Sequence, residues 1–147
     1  KTKKNHCREC GYDKNRGENA SWYIKDRAAL SLKKKFRAKC HAILTHTFNM
    51  IGKKKDDHSR NLLNFSPSDL QRHIEGHPRW NLIKDEIWHL DHIFPISAFI
   101  QWNVLDIKLI NSLDNLQPLT QKENTSKSNK YDLNEFRSWL SSKGVTI

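Results

Sequence analysis

The chain has 147 residues, of which 36% are hydrophobic and 29% charged, and it carries a net charge of +10 at pH 7. This length predicts one globular domain with a modest core and a small appendage. No apolar run reaches the roughly 18 residues of a membrane-spanning helix, and three cysteines do not make a disulfide framework. A reducing, cytoplasmic setting and no membrane partner are therefore expected.

The positive charge is concentrated at the N-terminal end. Residues 1–60 contain 17 Lys and Arg against 6 Asp and Glu, whereas residues 61–147 contain 9 against 10. Such an excess favours a polyanionic partner, because each Lys or Arg beside a phosphate releases condensed counterions. A solvated basic surface is the alternative, and charge alone does not separate DNA from RNA or from a membrane surface. The densest basic group, expected to contact the partner, consists of Lys33, Lys34, Lys35 and Arg37.

Two cysteines near the start, Cys7 and Cys10, have the spacing of a pair of zinc ligands. Cys40, His41 or His46 could complete a structural zinc site. Cys40, however, falls on an apolar helical stripe, where a buried free thiol is the more common finding. The alternative for residues 1–20 is a polar loop without metal.

A long helix is predicted over about residues 26–51, because apolar residues recur there at three- and four-residue steps. Gly52 is expected to end it. A short helix should follow, capped by Ser66, with Pro67 in its first turn and Gly76 at its end.

Two strands are predicted next, over residues 87–94 and 115–119, with Pro95 closing the first. Residues 95–112 between them are expected to form a loop with some apolar content.

Two further helices are predicted after the second strand. Thr120 and Glu123 have the spacing of a capping box, in which each side chain binds a free backbone amide of the other residue. The helix that they begin is expected to run through Lys130, and a last amphipathic helix covers residues 132–142.

The segments WHLDHIFPISAF (88–99) and NSLDNLQPLTQKENTSKSNK (111–130) resemble the HNH endonuclease family, in particular its phage and mobile-element members. The resemblance extends over about residues 65–131. It implies an α+β fold with a ββα-metal element at about 85–131. The nuclease domain would then occupy residues 61–147, with additional helices and a basic N-terminal region over residues 1–60 that grips the DNA backbone.

The resemblance also implies a role for each matching residue. Asp91 and Asn124 correspond to the metal pair, and their oxygen ligands suit Mg²⁺ or Mn²⁺. His92 corresponds to the general base that activates water. Asn115 corresponds to the central asparagine, which holds the loop between the strands and orients the ring of His92. Lys127 would reach a phosphate oxygen, three residues beyond Asn124 on the same helical face.

Other interpretations of these residues stay open. Asp91 and His92 could form a polar cluster at a strand end, Asn115 could be a turn residue, and Lys127 a solvated lysine. His89 could touch the substrate or simply be a surface histidine. Because neighbours in a regular strand point to opposite faces, Asp91 and His92 can serve one site only if the strand twists, bulges or ends near residue 92.

The sequence departs from the family pattern at four positions. Many members carry histidines at the positions of Asn124 and Ser128, and zinc-stabilised relatives carry a cysteine pair at those of Thr120 and Glu123. That four-cysteine zinc site is therefore excluded here.

The function expected from this resemblance is metal-dependent hydrolysis of double-stranded DNA, one metal ion per site, leaving 5′-phosphate and 3′-hydroxyl ends. One such site nicks one strand, so double-strand cleavage would need a homodimer or successive nicks. The alternatives are a non-catalytic DNA-binding module on the same scaffold and an RNase. Restriction, homing and packaging enzymes would share this sequence pattern.

Overall fold

The computed structural model describes residues 27–147, except the side chains of residues 27–29 and 60. The described residues form a mixed α+β structure with a two-stranded antiparallel sheet. Residues 36–147 form one compact unit. The predicted domain boundary at residue 60 stays a prediction.

Helix α1 spans Arg27–Met50, in agreement with the predicted helix. Gly52 ends the helical conformation with φ of +69°, a region open to glycine, and the amide of Lys53 donates to the carbonyl of Phe48 at 3.0 Å. The apolar stripe packs inward, burying Phe36, Cys40, Ile43, Leu44 and Phe48.

Three short helices follow: α2 (Ser59–Leu62), α3 (Pro67–Glu75) and α4 (Trp80–Ile83). The predicted cap of α3 is confirmed, because the hydroxyl of Ser66 accepts from the amide of Asp69 and the Asp69 carboxylate accepts from the amide of Ser66.

The sheet pairs β1 (Trp88–His92) with β2 (Leu116–Thr120). The register sets Asp91 opposite Gln117 and His92 opposite Leu116. Strand β1 therefore stops at His92, two residues before the predicted end. Strand β2 begins one residue later than predicted, because Asn115 belongs to a 3₁₀ turn.

The connection between the strands is helical where a loop was predicted. Helix α5 spans Ile96–Gln101 and α6 spans Ile107–Ile110. Asp106 caps α6, since its carboxylate accepts from the amides of Lys108 and Leu109. The prediction of a loop was wrong because each helix is too short to show a helical period.

Helices α7 (Gln121–Lys127) and α8 (Leu133–Ser142) complete the chain. The capping box of Thr120 and Glu123 is confirmed at the start of α7. The prediction that this helix runs through Lys130 was wrong, because Ser128 adopts a φ of +49° that stops it.

The core of the C-terminal elements is aromatic. The ring of Phe136 on α8 lies 4.9 Å from that of Phe99 on α5 and 5.2 Å from that of Phe94. This packing fixes the segment that leaves β1. Nowhere in residues 27–147 is a helix both long and apolar enough to cross a membrane.

Candidate functional site

A cavity of about 480 Å³ opens between the second half of α1, strand β1 and the end of α7. Polar and ionisable side chains dominate its wall. The lining residues are Lys39, Ala42, Ile43, His46, His89, Leu90, Asp91, His92, Asn124, Ser128 and Asn129. Asp91, His92 and Asn124, predicted to act together, thus share one cavity.

Asp91 and His92 are the last two residues of β1, and both line this cavity. Within the strand they alternate: His92 is 6% exposed, whereas Asp91 is only half-buried. The end of the strand was one of the three arrangements expected to bring both residues to one site.

Asp91 is held by two neighbours that contact the same carboxylate oxygen. Its Oδ2 lies 3.0 Å from the ammonium of Lys127 and accepts from the Gln117 amide at 3.3 Å. The same ammonium donates to the backbone carbonyl of His92 at 2.7 Å. Lys127 therefore ties α7 to the end of β1. The predicted contact of Lys127 with a phosphate is a separate matter and stays a prediction.

The ring of His92 is buried against Asn111. Its Nε2 lies 3.1 Å from Oδ1 of Asn111, which also receives the hydroxyl of Thr47 at 2.9 Å. Burial lowers the pKa of His92 to about 4, although the Asn111 contact and nearby Asp91 act in the opposite direction. The ring is therefore neutral at physiological pH and can accept a proton, and the same burial makes it a weaker base than an imidazole in water.

Asn115 is fully buried and clasps the segment that follows β1. Its Oδ1 accepts from the amide of Phe94 at 2.8 Å, and its Nδ2 donates to the carbonyls of Ile110 at 2.8 Å and Phe94 at 3.3 Å. The backbone carbonyl of Asn115 accepts from the amide of Ile93 at 2.8 Å. Asn115 was expected to hold the loop between the strands and does so. The side chain bonded to the ring of His92 is that of Asn111.

Asn111 and Thr47 were not predicted as site residues. Asn111 follows helix α6 as its C-cap and looks in the sequence like an ordinary helix end. Thr47 gave a weak signal: it is a hydroxyl residue at a position of the apolar stripe of α1, and it is fully buried.

Asn124 and Asp91 present oxygen atoms that suit a hard divalent cation. Within residues 27–147 no hydrogen bond engages the Asn124 side chain or Oδ1 of Asp91. No three His, Cys, Asp or Glu side chains of the described residues meet as a metal site would require. Of the expected metal pair, Asp91 belongs to these four residue types and Asn124 does not. A carboxylate, an amide oxygen and water suit Mg²⁺ or Mn²⁺ but not a tetrahedral zinc.

The other predicted residues fall outside this cavity. Lys33, Lys34, Lys35 and Arg37 are exposed on α1, and their DNA contacts remain predictions. Cys7 and Cys10 lie outside the described residues. Cys40 is 2% exposed, and burial raises the pKa of its thiol to about 11, which disfavours the thiolate that zinc binds. Its burial agrees with the free-thiol alternative.

Comparisons with known proteins give no match to a family, to a curated protein or to a solved structure.

Proposed function

We propose that this chain is a metal-dependent DNA endonuclease of HNH type, with strands β1 and β2 and helix α7 as its ββα-metal element. The observation that carries the proposal is the cavity in which Asp91, His92 and Asn124 meet. These three residues come from two elements, and the motif resemblance assigns them the metal pair and the general base.

Asp91 and Asn124 would hold the metal ion. When bound there, Mg²⁺ or Mn²⁺ supplies positive charge that stabilises the scissile phosphate and the departing 3′ oxygen. The ammonium of Lys127, 3.0 Å from Asp91, contributes a second positive charge at this wall of the cavity.

His92 would take the proton from the attacking water. The water oxygen forms a bond to phosphorus, the bond from phosphorus to the 3′ oxygen breaks, and the leaving oxygen takes up a proton. This hydrolysis leaves a 5′-phosphate and a 3′-hydroxyl. The pKa of about 4 keeps the His92 ring unprotonated before the reaction.

Double-stranded DNA is the proposed substrate because the motif resemblance implies it, and the basic charge favours a partner with a phosphate backbone. Lys33, Lys34 and Lys35 are exposed on one helix. Replacing the three with Gln should weaken DNA binding and make its dependence on salt less steep, since fewer counterions are released. An unchanged salt slope in fluorescence-anisotropy titrations would place the DNA elsewhere on the protein.

Two alternative functions predict different products. Labelled DNA duplex, RNA duplex and single strands, each incubated with Mn²⁺, should yield cleavage of the DNA duplex with ends that a ligase can rejoin. Cleavage of RNA alone would indicate an RNase. Tight binding of DNA without cleavage in any metal would indicate a non-catalytic binding module. Cleavage of both strands at once would call for a homodimer, which sedimentation analysis measures.

A further inference from the structure

The ring of His92 meets a buried amide whose orientation is fixed by the backbone. Nδ2 of Asn111 lies 2.9 Å from the carbonyl of Ile107, which can only accept a hydrogen bond. Turning the amide over would bring its oxygen against that carbonyl and leave two acceptors in contact. The NH₂ group therefore faces Ile107, and Oδ1 faces Thr47 and His92.

Thr47 supports this orientation from the opposite side. Its hydroxyl lies 2.9 Å from Oδ1 of Asn111 and 2.9 Å from the carbonyl of Ile43. The hydroxyl has a single proton for these two acceptors, so donation to Oδ1 supports the orientation that the Ile107 carbonyl sets, whereas donation to Ile43 does not. Thr47 and Asn111 are both fully buried, so no bulk water supplies a substitute partner.

We propose that Asn111, oriented by the Ile107 carbonyl, is a positioning residue that holds the neutral ring of His92 in the Nε2–H tautomer and leaves Nδ1 as the basic nitrogen. The oxygen of an amide can only accept, so Nε2, at 3.1 Å from it, must carry the proton. A neutral imidazole has one N–H, and Nδ1 then carries the lone pair.

The consequence for hydrolysis rests on the proposed function. His92 lines the cavity, and only the nitrogen not engaged by Asn111 is available to accept a proton from water there. In the other tautomer Nδ1 would carry the hydrogen and could not accept a proton from water. Asn111 would act through His92 and need not touch the substrate.

The tautomer can be measured directly without any assay of cleavage. Long-range ¹H–¹⁵N correlation spectra of the whole chain at neutral pH distinguish the two neutral forms of a histidine ring, and His92→Gln identifies the His92 signals. The wild type should show the Nε2–H form. Asn111→Leu, which is similar in size but has no acceptor, should lose this preference.

Thr47→Val and Thr45→Val form a matched pair on helix α1. Each hydroxyl lies 2.9 Å from the carbonyl four residues earlier, but Thr45 is exposed, whereas Thr47 is buried and also lies 2.9 Å from Asn111. Thr47→Val should shift the tautomer balance of His92, and Thr45→Val should not. The wild-type spectrum keeps the tautomer assignment testable even where Asn111→Leu does not fold.

An Nδ1–H ring in the wild type, or a His92 ring unchanged by both Thr47→Val and a folded Asn111→Leu, would overturn the inference. In nicking assays, Asn111→Leu should lower kcat by about 10²-fold or more with KM unchanged, because a positioned base contributes about 10²–10⁴-fold. An unchanged kcat would overturn the positioning role. An Nε2–H ring in a protein that never cleaves DNA would reject the nuclease proposal and leave the tautomer assignment intact.

Discussion

Replacing Asn115 with Ala tests the clasp that holds the end of β1. The side chain is fully buried and makes two hydrogen bonds of 2.8 Å and one of 3.3 Å, joining Phe94 to Ile110. Its removal leaves the buried amide of Phe94 and the carbonyl of Ile110 without these partners. Each such group costs about 1–3 kcal/mol. We therefore expect the free energy of unfolding to fall by about 4 kcal/mol.

Urea unfolding followed by tryptophan fluorescence measures this change. The matched control is Asn134→Ala, an exposed asparagine on α8, which should stay within about 0.5 kcal/mol of wild type. Asn115→Asp keeps an acceptor for the Phe94 amide but loses the donor to Ile110 and buries a charge, so it should also be destabilised. A loss below about 1 kcal/mol in Asn115→Ala would refute the clasp.

Three further predictions concern charges. The pKa of His92 falls from 6.5 to about 4 on folding, so the unfolded chain binds the proton more tightly. The free energy of unfolding should therefore decrease by about 3 kcal/mol as the pH falls from 6.5 to 4. An identical pH dependence of unfolding in His92→Gln would contradict this. Hydrogen bonding from Arg79 lowers the pKa of Glu123 to about 2, so the stabilisation of the fold by this ion pair is present above pH 4.5 and is lost as the pH falls towards 2. Arg79→Met should raise the pKa of Glu123 in a ¹³C-NMR titration. An unchanged pKa in that variant would contradict the ion pair. Lys127→Met removes a cation that competes with the metal ion for the carboxylate of Asp91. Calorimetry should show Mn²⁺ binding about tenfold tighter, equivalent to about 1.4 kcal/mol, whereas Lys130→Met, which changes an exposed lysine, should leave it unchanged. Weaker Mn²⁺ binding in Lys127→Met would contradict this competition.

Local patterns in the sequence were enough to predict the elements that carry the cavity. The apolar stripe of α1 and the capping box of Thr120 follow from interactions within four residues, and the structure has both. The end of α7 was mispredicted because Ser128 takes a positive φ that serine rarely adopts.

Such local patterns could not predict the side chains that hold the His92 ring, because these side chains are distant from it in sequence. Asn111 meets His92 across 19 residues and Thr47 across 64. The motif resemblance assigned a role to His92 but did not indicate what holds its ring. Only the packing of α1 and α6 against the end of β1 brings Thr47 and Asn111 to it.

The most direct test of the central claim is nicking of supercoiled plasmid in Mg²⁺ or Mn²⁺. Wild-type protein should convert the plasmid to the open circle, and EDTA, His92→Ala and Asp91→Asn should each abolish conversion while DNA affinity persists. His58→Ala, which changes an exposed histidine outside the cavity, should nick at the wild-type rate. Wild-type-like nicking by His92→Ala, or binding of DNA with no nicking in either metal, would contradict the proposed endonuclease.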